Sequence, residues 1–194
     1  GETVKVMVGN CPEPDRIKKL GAEIVIYGQL DYLENRKYSD EEANALLNEM
    51  LQFLEKQVYN DSVLHFHNLN LGKNPIVTYA VYLLAKKGIS VFNHAHDFAE
   101  DRPVNYRFLK EIIEGNFKEN LKEIMYPNLP NCHFGVLNAF DLNRLISYGV
   151  NHDRIEWLPN PVPYRKPIHF DEKKAAKIKI CNTLQVCKLI QYAK

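Results

Sequence analysis

Two apolar runs of the sequence turn polar abruptly, and the residues at these two points could do chemistry. Imidazole and carboxylate groups hydrogen-bond a polyhydroxylated or phosphorylated substrate at neutral pH. If both runs are strands of one parallel sheet, these groups lie at its carboxyl edge, where such sheets bind ligands. The groups are His65 and His67 at the first point, and His94, His96 and Asp97 at the second.

The elements that would position these groups follow from the periodicity of the sequence. Apolar runs typical of strands alternate with segments that repeat every three or four residues, the period of a one-sided helix. Strands are predicted at Thr3–Val8, 22–28, Val63–His67, Ile89–Asn93, Cys132–Leu137 and Arg154–Leu158. Helices are predicted at 12–21, 43–58, 75–88, 104–123 with an interruption near Gly115, and 140–148.

Regular alternation of strand and helix predicts the fold class. It implies an α/β domain with a Rossmann-like parallel sheet and helices on both faces. We expect this domain to span residues 1–163. Pro159, Pro161, Pro163 and Pro167 then predict an extended exit, and residues 164–194 a linker or tail.

Composition narrows the class of function. The chain has 194 residues, of which 45% are hydrophobic and 25% charged, as is typical of a soluble globular domain. Its formal net charge is +1 and the sequence shows no basic patch, which argues against a nucleic-acid-binding protein. The four cysteines form no CxxC pair, which favours a reducing, cytoplasmic setting. No run approaches the roughly 18 apolar residues of a transmembrane segment. Peripheral contact with a membrane stays open.

Three stretches in order resemble a known family. They are HFHN (65–68), FNHAHD (92–97) and LNAFDLNRLISYGVNHDRIEWLPNPV (137–162). Together they resemble the N-terminal half of the family 4 glycosyltransferases. These are retaining transferases whose two facing Rossmann-like domains make up the GT-B fold. The resemblance implies transfer of a sugar from a nucleotide sugar to a carbohydrate or lipid-linked acceptor, with retention of configuration and with neither cofactor nor metal.

The same resemblance implies roles for particular residues. His96 and Asp97 would be catalytic, with His96 hydrogen-bonding a hydroxyl of the donor sugar, whereas the alternative is that they only cap the loop and the next helix. Arg102 would contact a phosphate or the acceptor, and Asn160 would set the hinge to the second domain. His67 would bind substrate at the sheet edge.

The loop 68–74 leaves two interpretations open. Asn68 and Lys73 are candidate substrate contacts, because the loop leads into a helix whose amino end favours an anion and Gly72 permits close approach. The alternative, which we prefer from the residues alone, is a solvated turn with an ordinary Asn-Pro cap.

Two further expectations concern what the chain lacks. The family's donor-binding domain, with its E-x7-E motif, is not recognised, so we expect a truncated domain, inactive alone, or half of an enzyme completed by a donor-binding domain on a second chain. The rival classes are a non-catalytic binding module and a metal-dependent hydrolase. Histidines 65, 67, 94 and 96 could supply metal ligands and are the feature that supports the hydrolase. Against it, H-A-H-D lacks the rest of a zinc motif, and His65 and His67 have no obvious later Asp or His partner at a strand end.

Overall fold

The computed structural model describes residues 4–59 and 61–160, and the predicted alternation of strands and helices is confirmed there. The strands are β1 (Lys5–Val8), β2 (Glu23–Ile26), β3 (Val63–His67), β4 (Ser90–Ala95), β5 (Cys132–Val136) and β6 (Ile155–Trp157). The helices are α1 (Pro14–Lys18), α2 (Asp40–Gln57), α3 (Pro75–Lys86), α4 (Pro103–Lys110), α5 (Leu121–Met125) and α6 (Ala139–Ser147). Most of the predicted proline-rich exit and all of the predicted tail lie outside the described residues.

All strand pairs are parallel, and in the described ranges they form two sheets. One has the order β1-β2 and the other the order β3-β4-β5-β6. The predicted α/β Rossmann-like class is confirmed, but the division into two sheets was not foreseen. The apolar run that predicts a strand is the same whichever strand lies beside it, so the sequence does not identify the neighbours of β1 or β2.

The four-stranded sheet buries one face beneath helices. Leu64, Val91, Phe134 and Val136 point to this face and are all less than 7% exposed. Side chains of α3 and α5 surround a small cavity that Val91 and Phe134 also line. Burying an aliphatic or aromatic side chain contributes about 1.5–3 kcal/mol, so this face supplies much of the folding free energy.

The helix ends show how the sequence sets the loops. Ser39 and Glu42 form the expected capping box at the start of α2. Asn74 accepts the Val77 amide at the start of α3, and Pro75 takes the first helical position. The expected break near Gly115 is a π-helical segment over Glu111–Asn116. Within the described ranges, no helix combines the length and apolar character needed to cross a membrane.

The chain divides into two compact units, Gly1–Pro159 and Asn160–Lys194. Both sheets and all six helices belong to the first unit. Asn160, the predicted hinge residue, is exposed and is the only described residue of the second unit. Its role at a hinge therefore stays a prediction.

Candidate functional site at the carboxyl edge of β3 and β4

The predicted histidines do meet at one edge of the sheet. β3 and β4 pair in parallel with His67 opposite His94, so the two strands end together. The ring centroid of His96 lies 5.4 Å from that of His67 and 4.3 Å from that of His94. The expected gathering of His67 and His96 at a common edge is confirmed.

Asn68 fixes the loop that carries His96. Its backbone is left-handed, with φ of 59°, a conformation that asparagine tolerates better than most residues. Its Oδ1 accepts the backbone N–H groups of His96 at 2.7 Å and Asp97 at 3.1 Å. Its own N–H donates to the carbonyl of His94. Asn68 therefore positions His96 and Asp97.

Two buried asparagines that the sequence reasoning missed extend this network. Asn70 is fully buried and Asn93 is 3% exposed. Asn93 donates to Asn70, and Asn70 donates to the carbonyl of Asp97. Buried amides are stable only when hydrogen-bonded, so this chain ties the loop after β3 to the loop after β4. The sequence could have indicated this network through Asn93, because it is a polar residue at an inward position of an otherwise apolar strand.

One ring nitrogen of His96 is buried without a hydrogen bond. This atom, Nε2, has no hydrogen-bond partner among the described residues. Burial, followed by the neighbouring His94 and His67, lowers the pKa of His96. The ring is therefore neutral at pH 7 and offers one donor and one acceptor.

Asp97 and Arg102 face the solvent beside this ring. The Arg102 Nη2 donates to Asp97 Oδ1 at 3.2 Å. The Arg102 side chain is 58% exposed and the Asp97 side chain is 45% exposed. The capping alternative for Asp97 is not observed, since Phe98 and Arg102 occupy the N-cap positions of the next two helical segments. A guanidinium has five N–H donors, so Arg102 keeps most of its capacity for an anion.

Arg144 was also missed, and it anchors the far end of the loop. Its guanidinium donates to both carboxylate oxygens of Asp101, at 2.6 and 2.9 Å, and to the hydroxyl of Tyr148. The guanidinium carbon lies 4.4 Å from the ring centroid of Phe98. The hydrogen bond from Arg144 lowers the pKa of Asp101. No motif marks this pair, because 43 residues separate its members.

The loop 68–74 contains the predicted Asn-Pro cap, which favours the structural interpretation of that turn. Asn74 Nδ2 also donates to the carbonyls of Gln29 and Asp31. Gly72 has φ of 77°, and a Cβ there would lie 3.0 Å from the Asn105 carbonyl oxygen, so the close approach it permits is to α4. Lys73 Nζ lies 5.2 Å from the ring centroid of Tyr32.

A cleft lies where this loop meets the segment after β2. Its volume is about 170 Å³. Polar and apolar side chains both line it, and the amide oxygen of one lining residue, Gln29 Oε1, is buried without a hydrogen-bond partner among the described residues. The lining residues include Gln29, Asp31, Tyr32, Glu34, Tyr38 and Asn74.

Pairing of β3 with β4 also supplies the partner that the sequence reasoning did not find for His65 and His67. One ring nitrogen from each of His65, His67 and His94 lies within 4.8 Å of the others. The first two are exposed and His94 is buried. The sequence had already grouped these three with His96 as candidate metal ligands, and the strand pairing shows that three of the four lie together.

Comparison with known proteins gives one relative of the expected kind. The chain is 29% identical over 163 residues to a protein named "Mannosylglucosyl-3-phosphoglycerate synthase" from Petrotoga mobilis (strain DSM 10674 / SJ95). This similarity supports a relationship to glycosyltransferases. The aligned part covers 77% of this chain and 31% of the relative, so the chain spans about a third of the relative's length. No protein-family model and no solved structure matches the chain.

Proposed function

We propose that this chain is the acceptor-side domain of a retaining glycosyltransferase of family 4, one half of a GT-B fold. It would take part in moving a sugar from a nucleotide sugar to its acceptor in the cytoplasm. The observation that carries the proposal is the meeting of His67, His96, Asp97 and Arg102 at one edge of a parallel sheet. The similarity to a sugar-phosphoglycerate synthase supports the same reaction class.

In this proposal His96 orients the donor sugar. A sugar ring carries no charge, so its orientation depends on directed hydrogen bonds. The neutral imidazole of His96 has an unpartnered nitrogen, which a sugar hydroxyl can satisfy. Asn68 holds the peptide on both sides of that ring, so the imidazole reaches its position without rearrangement of the loop.

The acceptor would be an anionic sugar derivative. The relative's name describes a product that contains a phosphoglycerate. Arg102 and Lys73 are the basic candidates for that anion, and Arg102 has donors to spare. The uncharged glycosyl part would lie in the cleft that Gln29 and Asn74 line, where the unpartnered Gln29 Oε1 could accept a hydrogen bond from a sugar hydroxyl.

The donor-binding domain of such an enzyme would hold the nucleotide diphosphate. In the proposed reaction the departing diphosphate itself takes up the acceptor's proton, and no metal or cofactor is required. The described domain then contributes orientation and acceptor binding, and a donor-binding domain contributes the charge stabilisation.

Nuclear magnetic resonance titration of the isotope-labelled chain tests the acceptor assignment. Glucosyl-3-phosphoglycerate should shift the amide signals of loops 68–74 and 95–102, and the shifts should saturate. Glucose should give much weaker shifts, and Arg102→Gln should weaken the phosphoglycerate effect several-fold. Shifts that are absent, or that lie only on α1 and β2, would remove the support for an acceptor site here.

A further inference from the structure

Three imidazoles lie side by side on the face of the four-stranded sheet opposite the one that packs against α3 and α5. His65 and His67 point to the same face of β3 because side chains alternate along a strand, and His94 lies opposite His67 on β4. Their ring centroids are 4.8, 5.3 and 6.1 Å apart. Three imidazoles bound to one tetrahedral ion have centroids about 5 Å apart, so the spacing already approximates a coordination site.

The orientation of His94 suits a metal ligand. Its Nε2 is 3.0 Å from the carbonyl oxygen of Leu158, and since a carbonyl only accepts, Nε2 carries the proton. In the neutral ring the lone pair is then on Nδ1. Metal-binding histidines commonly donate their second ring N–H to a backbone carbonyl in this way, which fixes the tautomer and the ring.

Gly135 makes room for this arrangement. A Cβ on Gly135 would lie 3.1 Å from His94 Cδ2 and 2.8 Å from Phe92 Cζ. The Cδ2–Nε2 edge of His94 therefore lies against β5 and beneath Leu158. The Nδ1 edge is on the other side of the ring, which is the side of β3 and its two histidines.

We propose that His65, His67 and His94 bind a late first-row divalent cation such as Zn²⁺, with a solvent molecule as fourth ligand. Imidazole nitrogen is a preferred ligand of these ions. Ligand nitrogens around tetrahedral zinc lie about 3.3 Å apart, so the present 4.8 Å must shorten by about 1.5 Å. His65 and His67 are exposed and can make that adjustment by rotating their side chains.

The position of the cluster relates it to the edge described above. The ion would join β3 to β4 just below the loop that carries His96. The metal site shares His67 with the edge that carries the proposed function, although the proposed transfer reaction itself needs no metal.

Metal uptake by the chelated, untagged chain tests this site directly. Exposed thiols are first alkylated under native conditions, so that cysteines do not compete. Titration with Zn²⁺ against a colorimetric chelator should give one equivalent bound, and Co²⁺ should give the intense visible absorption of a tetrahedral ion. His65→Ala and His94→Ala should each weaken binding by about tenfold or more, because even outer partners of ligands have effects of that size.

His133→Ala is the matched control, since His133 lies on the same face opposite Phe92 but outside the cluster. It should bind Zn²⁺ as the parent chain does. Far-ultraviolet circular dichroism checks that each variant is folded, and His65→Ala, at an exposed position, keeps the test valid if His94→Ala unfolds. Failure to take up one equivalent, or uptake unchanged in His65→Ala, would overturn the proposal.

Discussion

The two faces of the four-stranded sheet are built from the same strands but serve different purposes. On one face every β5 side chain is apolar and buried, as at Phe134, which is 2% exposed. On the other face His65, His67 and His94 cluster, and two of these three are exposed. Alternation along a strand separates them, so adjacent residues can have unrelated roles. The apolar face therefore supplies stability, and the histidine face carries side chains that can bind a ligand.

The largest expected effect is a difference in folding stability between substitutions on the two faces of one strand, β5. Phe134→Ala should destabilise the domain by about 3–5 kcal/mol, because it leaves a cavity in the core. His133→Ala, one residue earlier and on the opposite face, should change stability by no more than about 1 kcal/mol. Urea denaturation of both variants measures the difference. Equal losses would show that the histidine face also carries the core.

The next largest effect is the loss of stability expected at the carboxyl edge of the sheet, where Asn68 holds the loop that carries His96. Asn68→Ala removes the acceptor for two backbone N–H groups and should cost about 1–3 kcal/mol. Hydrogen exchange at the amides of His96 and Asp97 should accelerate at the same time. Asn68→Asp keeps an acceptor oxygen and serves as the control. Unchanged exchange in Asn68→Ala would mean that Asn68 does not hold this loop.

A great part of the fold could be predicted because each element is encoded locally. The capping box at Ser39, the Asn74-Pro75 start and the alternation in β3 all depend on residues within one turn or one strand. The meeting of His67 with His96 followed from one rule, that parallel strands end at a common edge. Local patterns were sufficient for these features.

The features that could not be predicted depend on contacts between residues that are distant in sequence. The bond between Asn70 and Asn93 and the pairing of Arg144 with Asp101 join residues 23 and 43 positions apart. Gly135 acts through rings on the neighbouring strand. No local period records such pairs, so the network that positions His96 became visible only in three dimensions.

A smaller effect is expected where β5 supports the histidines. Gly135→Ala places a methyl group against Phe92 and His94 and should cost about 1–2 kcal/mol, within the range for overpacking. The imidazole signals of His94 should shift, while those of exposed His152 should not. A His94 ring that is unaffected would show that Gly135 does not set its position.

The smallest effect is electrostatic and depends on pH. The Arg144 hydrogen bond lowers the pKa of Asp101 in the folded protein, so this pair stabilises the fold above the unfolded pKa of about 4. That contribution is lost as the pH falls through the lower, folded pKa. Asp101 is 59% exposed, so we expect at most about 1 kcal/mol.

Thermal melting of Asp101→Asn against the parent chain measures this term. The parent should melt at the higher temperature at pH 7, and the difference should shrink as the pH falls through the folded pKa of Asp101. A difference in melting temperature that does not change with pH would assign the effect to packing and not to charge.

The most direct test of the proposed role is the rate of sugar transfer after removal of one imidazole. The assay joins this domain to a donor-binding domain and supplies a nucleotide sugar and glucosyl-3-phosphoglycerate. Because His96 would orient the donor, His96→Ala should lower the transfer rate by at least about 100-fold, with folding intact by circular dichroism. His152→Ala should transfer at the parent rate. Parent-level transfer by a folded His96→Ala protein would contradict the account.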